Sequence, residues 1–208
     1  NGVFVEAHRK AVEAIRSGPG DAPVGLTLAM QEYVAVGDGA AQAKLERIRL
    51  NSEDVYLDAV AGDDFLGVQT YSRMRVGPDG ALGPEAGVET TMMGYEFWPE
   101  ALEACIRRAW AHTDGVPVLV TENGIATADD TRRIAYVERA LAGVGRCLDD
   151  GIDVRGYTYW SALDNFEWAY GYRPTFGLIG VDRTSFERSP KPSARWLGQV
   201  ARANALDA

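Results

Sequence analysis

"PVLVTENGIA", residues 117–126, decides how this chain is read. Val118-Leu119-Val120 is a continuous apolar run, the pattern of a strand buried on both faces. The run stops at Thr121-Glu122-Asn123-Gly124, so a carboxylate stands where the strand ends and a glycine follows it. A glutamate held on a strand end can act as a nucleophile, as a general acid or base, or as a metal ligand. The plainer alternative is a loop glutamate that caps the next helix. Gly124 favours the first option, because it would permit the sharp exit that leaves Glu122 pointing inward.

Working outward, the same kind of segment recurs. Val24–Met30, Phe65–Tyr71, Pro117–Thr121 and Val154–Ser161 are four strand candidates. Amphipathic helices alternate with them: residues 40–64, about 99–112, 129–150 and from about Ser193 onward. Asp129 and Asp130 are expected to cap the third of these and Gly151 to close it. Pro99 suits the first turn of the helix that ends near His112. Residues 75–97, dense in glycine and proline, read as one long loop, and loops of that length in a compact domain are usually functional or disordered. The first residues read as a helix already under way, with Phe4, Ala7, Ala11 and Ile15 on one face, so the chain is expected to begin inside a domain.

Alternating strands and helices imply a parallel sheet, either open and doubly wound or closed as a barrel. No GxGxxG or Walker pattern follows a strand, which weakens nucleotide binding. Polar and aromatic residues gather instead past the C-terminal strand ends, where barrel active sites lie. Four strands cannot close an eight-stranded barrel, so the sequence is either half of one or is completed by partners.

Composition narrows the partners. The 208 residues are 46% hydrophobic and carry a formal charge of −9, which argues against nucleic acid and anionic membrane surfaces. No apolar stretch is long enough to span a bilayer. Cys105 and Cys147 lie far apart without CxxC spacing, so two free thiols in a reducing compartment such as the cytoplasm are expected. His8 and His112 are the only histidines, and neither has ligand-like neighbours; no metal or cofactor is expected.

Two further stretches bear on chemistry. In "YTYWSALDNFEWAYGY", residues 157–172, Trp160, Phe166, Trp168, Tyr170 and Tyr172 surround Asp164, Asn165 and Glu167. Aromatic faces beside carboxylates and amides suit sugars, whose C–H faces stack and whose hydroxyls need polar partners. A self-satisfied aromatic core is the alternative, strongest for Trp160 inside its strand. In "DDFLGVQTYSR", residues 63–73, Gln69 and Tyr71 fall two apart on one strand face, and a tyrosine there can hydrogen-bond a catalytic carboxylate.

Together these segments resemble glycoside hydrolase family 1, the retaining β-glycosidases that include β-glucosidases. The matching pieces are HRKAVEAIR, DDFLGVQTYS, MGYEFWPEAL, PVLVTENGIA, YWSALDNFEWAYGY, TFGLIGVD and RSPKPSARW, in the family's order. The resemblance implies a (β/α)8 TIM-barrel fold of which residues 1–208 supply about the last four β/α units, as one incomplete domain. It implies that Glu122 is the nucleophile that forms a glycosyl-enzyme and that Tyr71 hydrogen-bonds it. It further implies Trp160 as the platform under the sugar, Glu167 as acceptor for O4 and O6, Trp168 as donor to O3 and Phe176 as an aromatic wall. The substrate would be a β-glucoside or small oligosaccharide.

The sequence departs from the pattern in places. The family's asparagine followed by two tyrosines reads Gln69-Thr70-Tyr71, and the longer Gln69 is expected to shift a contact at the pocket floor. The usual tryptophan after Met-Gly is Tyr95, a change on the leaving-group side. The family's acid/base motif, Asn-Glu-Pro, does not occur in the sequence. Glu32, just past the first strand, is expected to face solvent rather than to replace it. Three readings follow: the C-terminal half of a β-glucosidase-like enzyme that needs its missing N-terminal half, a non-catalytic sugar-binding half-barrel, or a half-barrel that self-associates through its open edges.

Overall fold

The computed structural model describes residues 1–206. The four apolar segments form β1 (Gly25–Ala29), β3 (Phe65–Gln69), β6 (Val118–Asn123) and β7 (Val154–Tyr159). They make one parallel sheet in the order β1-β3-β6-β7. Each strand of this sheet lies beside the sheet strand that precedes it in the chain. A doubly wound sheet reverses its order at a switch point; an unreversed order belongs to a (β/α) barrel. β1 and β7 are its two outer strands.

The helices in chain order are α1 (Gly2–Ser17), α2 (Gly39–Arg49), the single turn α3 (Val55–Leu57), α4 (Ala101–His112), α5 (Asp130–Asp149) and α6 (Pro192–Ala203). Helices, chiefly α4 and α5, cover one face of this sheet, and α2 packs instead on a second, smaller sheet. Leu66, Val68, Val118 and Val120 point into that layer, against Leu102, Cys105 and Ile106 of α4 and Val144 and Cys147 of α5. All but Val144 are almost fully buried, so each contributes about 1.5–3 kcal/mol of transfer free energy. The caps fall where the sequence places them. The Asp129 carboxylate accepts from the Thr131 amide at 2.9 Å, and Gly151, at φ 83°, takes the left-handed conformation beyond α5. Both cysteines are buried and free; burial pushes the Cys105 thiol up to about 12 and Cys147 to about 11, which makes them packing residues. Among the described residues, no helix is long and apolar enough to cross a membrane and no cluster of three or more His, Cys, Asp or Glu is placed to hold a metal.

The expected single loop at 75–97 is partly ordered into strands. β2 (Glu32–Ala35), β4 (Arg73–Gly77) and β5 (Gly80–Ala81) form a small second sheet, with β2 and β4 parallel. Arg-Met-Arg-Val carries charges at alternate positions and so lacks the continuous apolar signature of the main strands. The rest of the loop is tied back by Glu96. Its carboxylate accepts from Arg73 Nε at 2.5 Å and from the Glu85 amide at 2.6 Å, while its carbonyl accepts from Ser72 Oγ at 2.8 Å. Burial would raise the Glu96 pKa; the donors from Arg73 and Glu85 outweigh it and hold the group below the ordinary carboxylate range. Two short antiparallel strands, β8 (Ile179–Val181) and β9 (Arg188–Pro190), precede α6.

Helix α1 forms as expected, but its apolar residues are not covered: Phe4 is 71% and Ile15 52% exposed. With Leu26, Leu28, Tyr56 and Ala59, Phe4 and Ala7 line an open groove along β1. At the other end, Arg133 is buried and donates to the Thr127 and Thr175 carbonyls, each at 2.8 Å, and to Asp130. Asp130 also accepts from the Ser193 amide at 2.7 Å, which locks the start of α6 to the start of α5.

Candidate active site

Main-chain register explains why the strand ends on a glutamate. Leu66 pairs with Val118 and Val68 with Val120, all facing the helices. Their alternates face the other way; a Cβ on Gly67 would lie 2.6 Å from a Thr27 methyl and 3.0 Å from Thr121. Strict alternation would send Glu122 to the helix side with Val118 and Val120. The register shifts between Val68 and Gln69, so that Gln69 pairs with Glu122 instead of Thr121. This irregularity turns Glu122 to the face that carries Gln69 and Tyr71, as β-bulges beside active sites do.

The expected reason for Gly124 therefore needs correction. Gly124 does not adopt a positive φ. It is glycine because a Cβ would lie 2.1 Å from the Trp160 carbonyl oxygen, a backbone atom that cannot swing aside. Gly124→Ala should destabilise the protein by about 2–3 kcal/mol in urea unfolding as β6 and β7 are forced apart. An unchanged midpoint would show that the strand ends yield freely.

Glu122 is gripped on both oxygens. Tyr71 Oη donates to Oε2 at 2.5 Å and Gln69 Nε2 donates to Oε1 at 2.9 Å. Burial, and then the bond to Glu122, push the Tyr71 phenol well above its ordinary pKa, so it stays a proton donor across the working pH range. The Phe176 ring meets Tyr71 edge to face, centroids 5.9 Å apart. Glu122, Tyr71, Trp160, Glu167, Trp168 and Phe176 line one cleft of about 330 Å³, with Met93 and Tyr95 on a further wall. Gln69 touches the cleft through Glu122.

The aromatic stretch divides into separate roles. Trp160 lies just past β7, and Trp160 Nε1 donates to Glu167 Oε1 at 3.1 Å. Asn165 Nδ2 reaches the same oxygen at 2.5 Å, and Asn165 Oδ1 in turn accepts from Ser161 Oγ at 3.1 Å. Glu167 is thus oriented by two donors. Trp168 is 83% exposed at φ 46°, a left-handed conformation that costs a non-glycine residue about 1–3 kcal/mol and tends to persist at functional sites. Asp164 faces away; it accepts from the Gly177 amide at 2.8 Å and from Lys191 Nζ at 3.0 Å, fastening the loop. Phe166 and Tyr172 pair with each other, 5.3 Å between centroids, outside the cleft.

Two residues carry more than their sequence context suggested. Asn123 is fully buried on the helix side: Nδ2 donates to the Thr70 carbonyl at 2.7 Å and to Tyr136 Oη at 3.3 Å, and Oδ1 accepts from Tyr157 Oη at 2.9 Å. Tyr136 Oη donates onward to the Tyr71 carbonyl at 2.7 Å. The ends of β3, β6 and β7 are joined through this one amide. Glu32, expected in solvent, is half-buried and accepts from Trp98 Nε1 at 2.7 Å, because the loop folds back over it and stacks Trp98 under Arg73.

The unreversed strand order and the cleft at the strand ends define a protein of the (β/α)8-barrel class with an acidic, aromatic-walled site. Residues 70–206 match the model of glycosyl hydrolase family 1, and the chain belongs to that family. A bifunctional β-D-glucosidase/β-D-fucosidase of Bifidobacterium breve is 43% identical over 126 residues, covering 54% of this chain and 27% of that protein. A β-galactosidase of Sulfolobus acidocaldarius is 30% identical over 234 residues, covering 98% of this chain and 47% of that protein. The crystal structure of the β-glycosidase BGL167 superposes with a TM-score of 0.93 at 50% identity, covering 98% of this chain and 48% of that one. The chain therefore spans half or less of the length of these relatives, and its sheet is the corresponding part of their barrel.

Proposed function

We propose that this chain carries the nucleophile side of a retaining β-glycosidase site that acts on β-glucosides or small oligosaccharides through a covalent intermediate on Glu122. The observation that carries this reading is the doubly held Glu122 carboxylate at the mouth of an aromatic cleft. In the proposed reaction a lone pair of Glu122 bonds to the anomeric carbon while the leaving group departs with its own pair. Tyr71 holds the carboxylate in place. Trp160 lies under the ring, Glu167 accepts from sugar hydroxyls, Trp168 donates from its indole and Phe176 closes a wall.

A retaining mechanism also needs an acid/base carboxyl about 5–5.5 Å from the nucleophile. Among the described residues, the carboxylates lining the cleft are Glu122 and Glu167, and Glu167, oriented by Trp160 and Asn165 through Oε1, is assigned to the sugar hydroxyls. Glu32 is engaged by Trp98. The acid/base is accordingly assigned to the half of the barrel that carries the family's Asn-Glu-Pro motif. That half, or a second copy of this chain, would pair with the open edges of β1 and β7. One other reading, sugar binding without hydrolysis, is favoured by the aromatic walls and the oriented Glu167, which suit a sugar whether or not it is cleaved.

A dinitrophenyl β-glucoside separates the two readings, because dinitrophenolate leaves without protonation. A burst of about one dinitrophenolate per chain is the expected result. Saturable sugar binding with no burst would support the binding-only reading.

A further inference from the structure

Tyr71 is not the only donor on Glu122. Gln69 stands two residues before it on the same strand face, opposite Glu122 in the shifted register, and its amide takes the oxygen that Tyr71 leaves free. The extra methylene relative to an asparagine lets Nε2 reach Oε1 at 2.9 Å. Resting on the reading of Glu122 as nucleophile, we propose that Gln69 is a positioning residue that stabilises the Glu122 carboxylate as the sugar leaves it. It thereby speeds breakdown of the glycosyl-enzyme and leaves its formation nearly unchanged.

The two steps differ in where the negative charge resides. A hydrogen bond to a carboxylate is roughly twice as strong as one to a neutral acceptor. Glu122 is a carboxylate in the free protein and a neutral ester in the glycosyl-enzyme. The transition state between them is oxocarbenium-like, with a long, weak bond to the anomeric carbon, so the carboxylate there is still largely anionic. The Gln69 bond is therefore nearly as strong in the transition state as in the free protein, and weakest in the ester. Formation starts from the free protein and gains little. Breakdown starts from the ester and gains most of the difference. During breakdown the incoming nucleophile's pair bonds to the anomeric carbon, and the pair of the carbon–Glu122 bond returns to the carboxylate beside the Gln69 amide.

Both steps are measurable on the chain as it is. A dinitrophenyl 2-deoxy-2-fluoro-β-glucoside loads the ester, and azide discharges it as a glycosyl azide without a general base. The mass of the protein against time follows each. In Gln69→Leu, formation should stay within about threefold of the parent and discharge should slow about tenfold or more. Gln69→Asn keeps an amide with a shorter reach and should fall between the two, with circular dichroism checking the fold of both variants. Formation and discharge falling together would reduce Gln69 to a support of the strand end and overturn the proposal. Equal discharge rates in all three proteins would overturn it as well. No ester in the parent chain would remove the nucleophile reading and this inference with it, an outcome distinct from a labelled parent whose variants match it.

Discussion

Replacing Glu122 with alanine is expected to abolish the dinitrophenolate burst, lowering the rate by about 10⁴-fold or more. Among the described residues, the other carboxylate lining the cleft is Glu167, which is assigned to the sugar hydroxyls rather than to the anomeric carbon. Glu167 holds hydrogen bonds from Trp160 Nε1 and Asn165 Nδ2, and Tyr71 keeps its proton at working pH. The truncation also makes a vacancy of carboxylate size beneath Tyr71 and Gln69. Added azide should enter there and attack from the face Glu122 occupied, restoring dinitrophenolate release and yielding an α-glycosyl azide. The anomeric configuration of that product checks the assignment. Full activity in Glu122→Ala would transfer the nucleophile's role elsewhere.

The second large effect is on stability. Asn123→Leu keeps the branched shape at a fully buried position, with two bulkier methyl groups, but removes the amide that joins β3, β6 and β7. The Thr70 carbonyl and the Tyr157 hydroxyl are left buried without these partners, and each such loss costs about 1–3 kcal/mol. A destabilisation of roughly 3–5 kcal/mol is expected, read from the urea midpoint. Since Tyr136 bonds both Asn123 and the Tyr71 carbonyl, the variant should also label more slowly with the fluoroglucoside while it remains folded. A variant as stable as the parent would show that the three strand ends do not depend on this amide.

Those two neighbours mark how far the sequence could be read. Val118-Leu119-Val120 announces a buried parallel strand through composition alone, and the helix over 130–149 is legible from its spacing and its Asp129 cap. Glu122 stands out because a charge at the end of such a run needs a reason. What turns it into the cleft is a one-residue change of register between two strands 50 residues apart in sequence, and no local pattern records that. Gly124 drew attention as a turn, yet its role is a close approach to Trp160. Asn123 looks like turn chemistry and is a buried crosslink. β4 was hidden because its alternating arginines imitate a loop, and its place depends on β2, some 40 residues earlier. In the aromatic stretch, composition singled out the segment but could not separate Glu167, which faces the cleft, from Asp164, which ties down Lys191 and Gly177.

The most direct test of Glu122 as nucleophile is peptide mapping of the chain after incubation with the dinitrophenyl 2-deoxy-2-fluoro-β-glucoside. The leaving group needs no acid, and the fluorine slows release of the sugar, so the ester accumulates if the nucleophile is formed and poised. A single fluoroglucosyl adduct is expected, located at Glu122 within the peptide that contains residues 117–126. A folded, sugar-binding chain that acquires no adduct, or one labelled at Glu167 instead, would contradict that assignment.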